Sequence, residues 1–346
     1  MSVAITKPAD LFIRSAALPA FSYTFYKSMQ LVKGFMGTDA NAPIVIDGLD
    51  FLQSGYYADQ PVLKPISSLI QVRDYVNGGD TITPATLSTR NDDGVFVRFT
   101  SFVNIGEDAG RIAWGTPMQR LIEHFVEQTA LEWMALMQTY VIGIAKGAIT
   151  SMSGSAHTKT VWNASSRTNL SNGLILAGIQ LLTDSQQRYF SGGKGVMITQ
   201  SGPSYDLGIA QLGAGVQGIA DNMVRQATPQ TNGLPFVIAQ DAALTTTDAG
   251  YDKYYTLVMG PSSMRVKLES PRFYTVDQRL DTGSVTNYLR ADMDAYFEVP
   301  GKQYDKTSGG DNPTYATIVT STNWDDTYTD AREIPMFLLE HNYSQN

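Results

Sequence analysis

Hydrophobic positions along residues 116–149, TPMQRLIEHFVEQTALEWMALMQTYVIGIAKGAI, recur at helical spacing. Met118, Ile122, Phe125, Val126, Trp133, Leu136, Tyr140 and Ile144 fall on one stripe with Arg120, Glu123 and Glu127 opposite, so the pattern predicts a single amphipathic helix. Beyond Leu131 the apolar side chains spread around most of the circumference, which predicts cover from several sides. Thr116 supplies an N-cap, Pro117 a first helical position with no N–H to satisfy, and Gly147 with the following SMSGS run a stop. At ~1.5 Å per residue such a rod is roughly 50 Å long, about three times the usual helix.

Residues 284–299, SVTNYLRADMDAYFEV, change the period to two. Val285, Leu289, Ala291, Met293, Ala295, Phe297 and Val299 alternate with Thr286, Tyr288, Arg290, Asp292, Asp294, Tyr296 and Glu298, with Asn287 the one break in the apolar series, so a strand with one wet face is predicted. At ~3.3 Å per residue it too spans roughly 50 Å. A long helix laid on a long strand makes a flat, elongated body, a shape suited to a building block rather than to an enzyme core.

The chain between them reads as a compact α/β region over residues 155–275. LSNGLILAGIQLLTDSQQRYF predicts a helix, GVMIT a strand, SYDLGIAQL and IADNMVRQA short helices, and LPFVIAQ and YYTLVMG strands, with Gly and Pro at the junctions. Before the rod, SLIQVRDYVNGGDTITPATLSTRNDDGVFVRFTSFV reads as two extended arms around polar turns. In the returning arm Val95, Val97, Phe99, Ser101 and Val103 alternate with Phe96, Arg98, Thr100 and Phe102, so both faces are substantially apolar and seek partners, some of them on other chains. No internal repeat is visible.

Composition narrows the functions available. With 43% hydrophobic and 17% charged residues, the 346-residue chain is ordinary for a soluble globular protein of about two domains. Its 33 acidic against 25 basic residues give a net charge of −8, the wrong sign for a surface that neutralises phosphates. The absence of cysteine excludes disulfides and thiolate metal sites. Asp10 and Arg14 interrupt the apolar start, which reads as an N-terminal arm rather than a signal peptide. The longest window of the rod without a formal charge, Trp133 to Ala145, has thirteen residues, too few for a bilayer.

The end of the chain carries a family likeness. In NPTYATIVTSTNWDDTYTDAREIPMFLLEHN, residues 312–342, the positions Asn312, Pro313, Thr314, Asn323, Trp324, Arg332, Ile334 and Pro335 resemble the C-terminal signature of a branch of tailed-bacteriophage major capsid proteins. TPATLSTRNDDGVFVRF stands where that branch has the return strand of its extended loop, and NGLPFVIAQDAAL followed by YYTLVMGPSSM resembles its axial-domain strand pair. The resemblance implies an α+β fold of the Hong Kong 97 type: an N-terminal arm at 1–44, an extended hairpin loop and its base at 45–106, a peripheral domain with the spine helix at 107–154, an axial domain at 155–275, and peripheral return strands with the C-terminal segment at 276–346. It implies a shell protein that self-assembles through hexamers and pentamers into an icosahedral head and encloses double-stranded DNA without sequence-specific binding. Such a protein resides in the virion after assembly in the host cytoplasm, with portal, scaffolding and decoration proteins as further partners, and with no membrane, enzymatic activity, catalytic residue, metal or cofactor. The acidic balance suits a wall that leaves packaged DNA mobile, and equally suits ordinary solubility.

Two other readings stand beside it. A nanocompartment shell of the same fold would enclose a protein cargo instead. A nucleotide-binding enzyme is suggested by GAGVQG, Gly213 to Gly218, with Asp241 about twenty residues on, although the preceding SYDLGIAQL reads as a helix where a dinucleotide fold needs a strand. SGGKG at 191–195 lacks the Ser or Thr and the following helix of a phosphate loop. His124, His157 and His341 share no motif and read as solvated or packing residues, and Asp325, Asp326 and Asp330 read as a polar turn because they lack calcium-loop spacing.

For a shell protein the candidate inter-subunit contacts are Arg73, Asp74, Arg90, Asp92 and Asp93, charges of the hairpin able to pair across a boundary. About forty residues precede the first strand candidate and contain Pro8 and Pro19, so no long helical scaffolding segment fits there and a nearly full-length mature chain is expected. Residues 45–106 hold one lysine, Lys64, and no glutamate, so the lysine–asparagine isopeptide joint of some relatives is not expected.

Overall fold

The computed structural model describes residues 36–37, 42–48, 61–63, 89–91, 94–106, 119–152, 157–164, 168–191, 194–207, 234, 236–239, 241–269, 271–281, 284–310, 313–328 and 330–343. Its strands begin with β1 (Met36–Gly37), β2 (Ile44–Gly48), β3 (Pro61–Leu63), β4 (Thr89–Asn91), β5 (Val95–Gly106), β6 (Thr158–Thr160), β7 (Val196–Thr199) and β8 (Phe236–Ile238). They continue with β9 (Thr245–Asp248), β10 (Tyr251–Met259), β11 (Met264–Leu268), β12 (Arg272–Asp281), β13 (Ser284–Glu298), β14 (Lys302–Tyr304), β15 (Trp324–Asp326) and β16 (Met336–His341). Helices include α1 (Gln119–Thr150), α2 (Asn172–Ile179), α3 (Asp184–Ser191) and the one-turn α4 (Tyr315–Ile318), and residues 201–207 are helical.

The predicted rod is α1, 32 residues without a proline. Its buried seam runs Val126, Ala130, Trp133, Met137, Val141, Ile144 and Ala148, stepping by three or four. Leu136 was placed on that stripe by the pattern but is 42% exposed, because Met137 occupies the seam and Leu136 falls on its flank. Tyr140 ties the helix to its surroundings, edge-on to Phe99 with centroids 5.4 Å apart and stacked on Phe297 at 5.9 Å. From Val141 to Ile149 all but Lys146 are buried, as several-sided cover requires. Gly147 does not stop the helix, which runs on to Thr150. The end falls at the SMSGS run, as predicted, and is closed by hydroxyls: Thr150 Oγ1 donates to the Lys146 carbonyl and Ser151 Oγ to that of Ala148.

Strand β13 is the second long element and the spine of a six-stranded sheet. β5 pairs antiparallel along one edge from Gly106 opposite Thr286 to Val95 opposite Phe297. β12 and β11 share the other edge end to end, and β2 and β1 extend the sheet beyond β11 in parallel. The face carrying Leu289, Ala291, Met293, Ala295 and Phe297 joins Val95, Val97 and Phe99 and packs in one core with α1. The polar face of β13 is not wet as the alternation predicts. Asp292, Asp294 and Glu298 are buried there, covered by long cationic side chains of neighbouring strands and of β13 itself.

A second sheet has the order β6-β16-β10-β7-β8, with β9 added to β10. Its inner face, with Val196, Ile198, Leu257, Met259, Met336 and Leu338, belongs to the core of α1. Its outer face, with Met197, Val258, Phe337 and Leu339, is covered by Leu174, Ile175 and Ile179 of α2 and by Phe190 of α3. The single helix predicted over 170–190 is two, because the chain turns at 180–183, where the Thr183 amide donates to the Arg332 carbonyl. β11 and β12 lie in the first sheet while β16, near the chain end, lies in the second.

Candidate assembly surfaces

Strands β3 and β4 pair antiparallel, with Arg90 opposite Val62, and mark the base of the predicted hairpin. Arg90 therefore lies on a strand, while Arg73, Asp74, Asp92 and Asp93 lie outside the described residues. Gly213 to Gly218 also lie outside, but the residues before them, 201–207, are helical rather than a strand. Asp241 is occupied structurally: its carboxylate accepts from Thr139 Oγ1 at 2.8 Å and from the Ala243 amide at 2.8 Å, capping a short 3-10 turn. Lys194 is followed by Gly195 and then by β7, not by a helix.

The exposed side of β5 and β13 is a layered charge surface that sequence reasoning missed. Asp294 takes a bidentate pair from Arg98, at 2.6 and 2.9 Å, and a further bond from Arg272 at 2.8 Å. Asp292 accepts from Thr100 Oγ1 at 2.8 Å and from Arg290 Nε at 2.9 Å. Glu298 faces Arg265 at 3.4 Å and Lys267 at 3.8 Å. Burial acts to raise the Asp294 pKa, but the hydrogen bonds and charge of Arg98, helped by Glu269 and Arg272, outweigh it and hold the carboxyl below the usual range. Glu269 is shifted the other way, by burial first and then by Asp294. The signal available was three acids at even spacing on a strand too long to stay wet along its length; the arginines that cover them come from up to 196 residues away.

The family-like C-terminal residues form a corner that clamps α1. Thr314 caps α4, Asn323 Nδ2 donates to the Thr317 carbonyl at 2.8 Å, and Trp324 Nε1 donates to that of Ile318 at 2.7 Å. The Pro335 carbonyl accepts from the Gly260 amide at 2.6 Å, Ile334 is fully buried, and Arg332 pairs with Asp330. Asn312 lies outside the described residues. A buried cation locks the corner to the end of α1: Lys302 Nζ donates to Ser151 Oγ at 2.6 Å and pairs with Asp326. Burial lowers its pKa, and Asp326 opposes the shift.

The histidines are structural or surface residues. His157 is fully buried with Nδ1 against the Met336 carbonyl, and burial lowers its pKa. His341 Nε2 accepts from Thr256 Oγ1 at 2.8 Å, its Nδ1 donates to the Asn342 carbonyl at 2.9 Å, and burial pushes its pKa down to about 4. His124 is exposed on α1. Among the described residues no group of three or more His, Asp or Glu side chains is arranged to hold a metal, and no helix is long and apolar enough to cross a membrane.

This fold, a long helix packed on a long-stranded sheet with a second α/β unit, is similar to that of solved phage capsids. The capsid protein of Ralstonia phage GP4 matches with a TM-score of 0.55 at 12% identity, over 92% of this chain and 92% of that one. The capsid protein of cyanophage Pam1 matches with a TM-score of 0.59 at 10% identity, over 93% of this chain and 94% of that one. No curated protein matches the chain significantly. The family model described as major capsid protein 13-like, or Gp13-like, matches residues 30–335, and the chain belongs to that family of major capsid proteins.

Proposed function

We propose that this protein is the head-shell subunit of a tailed bacteriophage, assembling through hexamers and pentamers into an icosahedral shell of the Hong Kong 97 type around double-stranded DNA. The family match over residues 30–335 carries the reading. A shell needs a thin tile whose contacts repeat, and a helix of 32 residues packed on a strand of 15 supplies a stiff one. The role is structural, without a catalytic step or cofactor. The two sheets support a peripheral region built on α1 and β13 and an axial region built on β10 and β16, between which the chain passes after α1, near residues 260–263 and again after β15. Residues 1–44 act as an arm and the hairpin within 45–106 reaches a neighbouring copy, with Arg73, Asp74, Arg90, Asp92 and Asp93 as its contact charges. Portal, scaffolding and decoration proteins complete the head.

Electron microscopy of the purified protein and of the lysate that produces it tests the reading. Closed icosahedral shells are expected in one or both; monomers and small oligomers alone in both samples would overturn it.

A further inference from the structure

We propose that Lys146, near the end of α1, is a modification site: a nucleophilic amine that takes an acyl group from a small, uncharged acyl donor. Every group the inference uses lies within one subunit, so it stands independently of the shell reading.

Two lysines meet at one carboxylate beside the second sheet. Lys253 Nζ pairs with Glu340 Oε2 at 2.7 Å, and Thr160 Oγ1 donates to the same oxygen at 2.7 Å. Both ammonium groups also address the ring of Tyr255, Lys146 at 3.6 Å from its centroid and Lys253 at 5.5 Å. Asp241, the other acid that acts on Lys146, is engaged by Thr139 Oγ1 and by the Ala243 amide. Among the described residues Lys146 is therefore left with a hydrogen bond to the Ala243 carbonyl, at 2.7 Å, and with no carboxylate of its own.

This arrangement favours the neutral amine. Lys146 is half-buried, and burial, with Lys253 behind it, outweighs Glu340 and Asp241 and brings its pKa down to about 8. A lysine desolvated beside a second cation is a nucleophile near neutral pH. The neutral amine can keep one N–H on the Ala243 carbonyl and still present a lone pair, which the ammonium lacks. Burial also lowers the pKa of Lys302, but that side chain is fully buried and held by Ser151 and Asp326, so no donor reaches it.

In the reaction the Lys146 nitrogen attacks the acyl carbon. The carbon–nitrogen bond forms as the bond from that carbon to its leaving oxygen breaks, and the displaced N–H proton passes to water. The product amide retains one N–H for the Ala243 carbonyl and removes a half-buried charge, so the fold accommodates it. With Lys253 and Glu340 already paired and an aromatic ring at the amine, nothing there recruits an anionic donor, which selects an uncharged one.

At pH 7.5 a pKa of about 8 leaves roughly a quarter of Lys146 neutral, against about one in a thousand for an ordinary lysine at ~10.4, an excess of roughly 200-fold. Lower basicity weakens the amine as it weakens a thiolate, so a net advantage of about tenfold remains.

Limiting N-hydroxysuccinimidyl acetate, applied to the full-length protein and followed by digestion and mass spectrometry, tests the site. Lys146 should be acetylated about tenfold faster at pH 7.5 than the exposed Lys194, and its rate should level off above about pH 8. K253M frees Glu340 to pair with Lys146, raises its pKa, and should slow its acetylation at pH 7.5 by roughly threefold or more while circular dichroism stays unchanged. A wild-type rate at Lys146 no greater than that at Lys194, or one still climbing in proportion to hydroxide through pH 10, would overturn the proposal. So would a folded K253M variant whose Lys146 reacts at the wild-type rate.

Discussion

Replacing Gly147 by alanine separates two opposing effects one helical turn from a matched control. Both Gly143 and Gly147 lie inside α1, where exchanging glycine for alanine ordinarily gains about 1 kcal/mol through lower chain entropy in the unfolded state. At 143 an added β-carbon would lie 2.5 Å from Tyr315 Oη and 2.6 Å from Val319 Cγ1, both at side-chain ends. At 147 it would lie 2.6 Å from the Val319 carbonyl oxygen and 3.0 Å from its carbon. That backbone cannot retreat alone: the Val319 amide is bonded to the Tyr315 carbonyl, and the neighbouring Ile318 carbonyl takes the Trp324 indole N–H. Restoring ordinary contact at 3.4 Å requires the corner to shift by 3.4 − 2.6 = 0.8 Å. Overpacking that moves backbone costs about 2–3 kcal/mol, so G147A should lose about 1–2 kcal/mol net. G143A, relieved by rotation of side-chain tips, should stay within about 1 kcal/mol of wild type. Denaturant titration of unassembled subunits, followed by far-ultraviolet circular dichroism and tryptophan fluorescence, measures both. A G147A subunit as stable as wild type, or a G143A subunit more damaged than G147A, would refute the clamp between the C-terminal corner and α1.

Acid should weaken the second sheet through His341. Its folded pKa of about 4 lies below the unfolded 6.5, so the stabilisation is complete above pH 6.5 and is lost as pH falls toward 4, by about 3 kcal/mol at the limit. Unfolding titrations of wild type and H341Q between pH 4 and 7 should show a flatter pH dependence in the variant, and equal slopes would count against it. Mature shells boiled in detergent should run as one band near 37.8 kDa, since Lys64 is the one lysine of residues 45–106 and no glutamate accompanies it; a covalent ladder would show that a joint forms elsewhere.

The two long elements were legible because each repeats one period over many residues, and the repeat reports which side is apolar whatever lies against it. That same argument failed on the polar side of β13. Alternation distinguishes polar from apolar positions, but it does not say whether Asp292, Asp294 and Glu298 meet water or the arginines of β5, β11, β12 and β13 itself. Gly147 failed for a related reason: a late glycine in a helix has the same local signature whether the helix ends or another backbone presses against it. Only Val319, far along the chain, decides between them. The C-terminal likeness was legible although its purpose was not, because Thr314, Asn323 and Trp324 bond to backbone atoms within six residues and so leave a compact trace in the sequence. Lys302 left none; its burial depends on Ser151 and Asp326, which approach it from different parts of the chain. The legible parts are thus those fixed by local periodicity or local bonds, and the illegible ones are places where distant segments press together. In a shell subunit those places bear load. The ion pairs beneath the arginine face and the corner on α1 must hold their geometry before any neighbour arrives, because a tile that reshaped itself at each contact would lose the repetition on which closure depends.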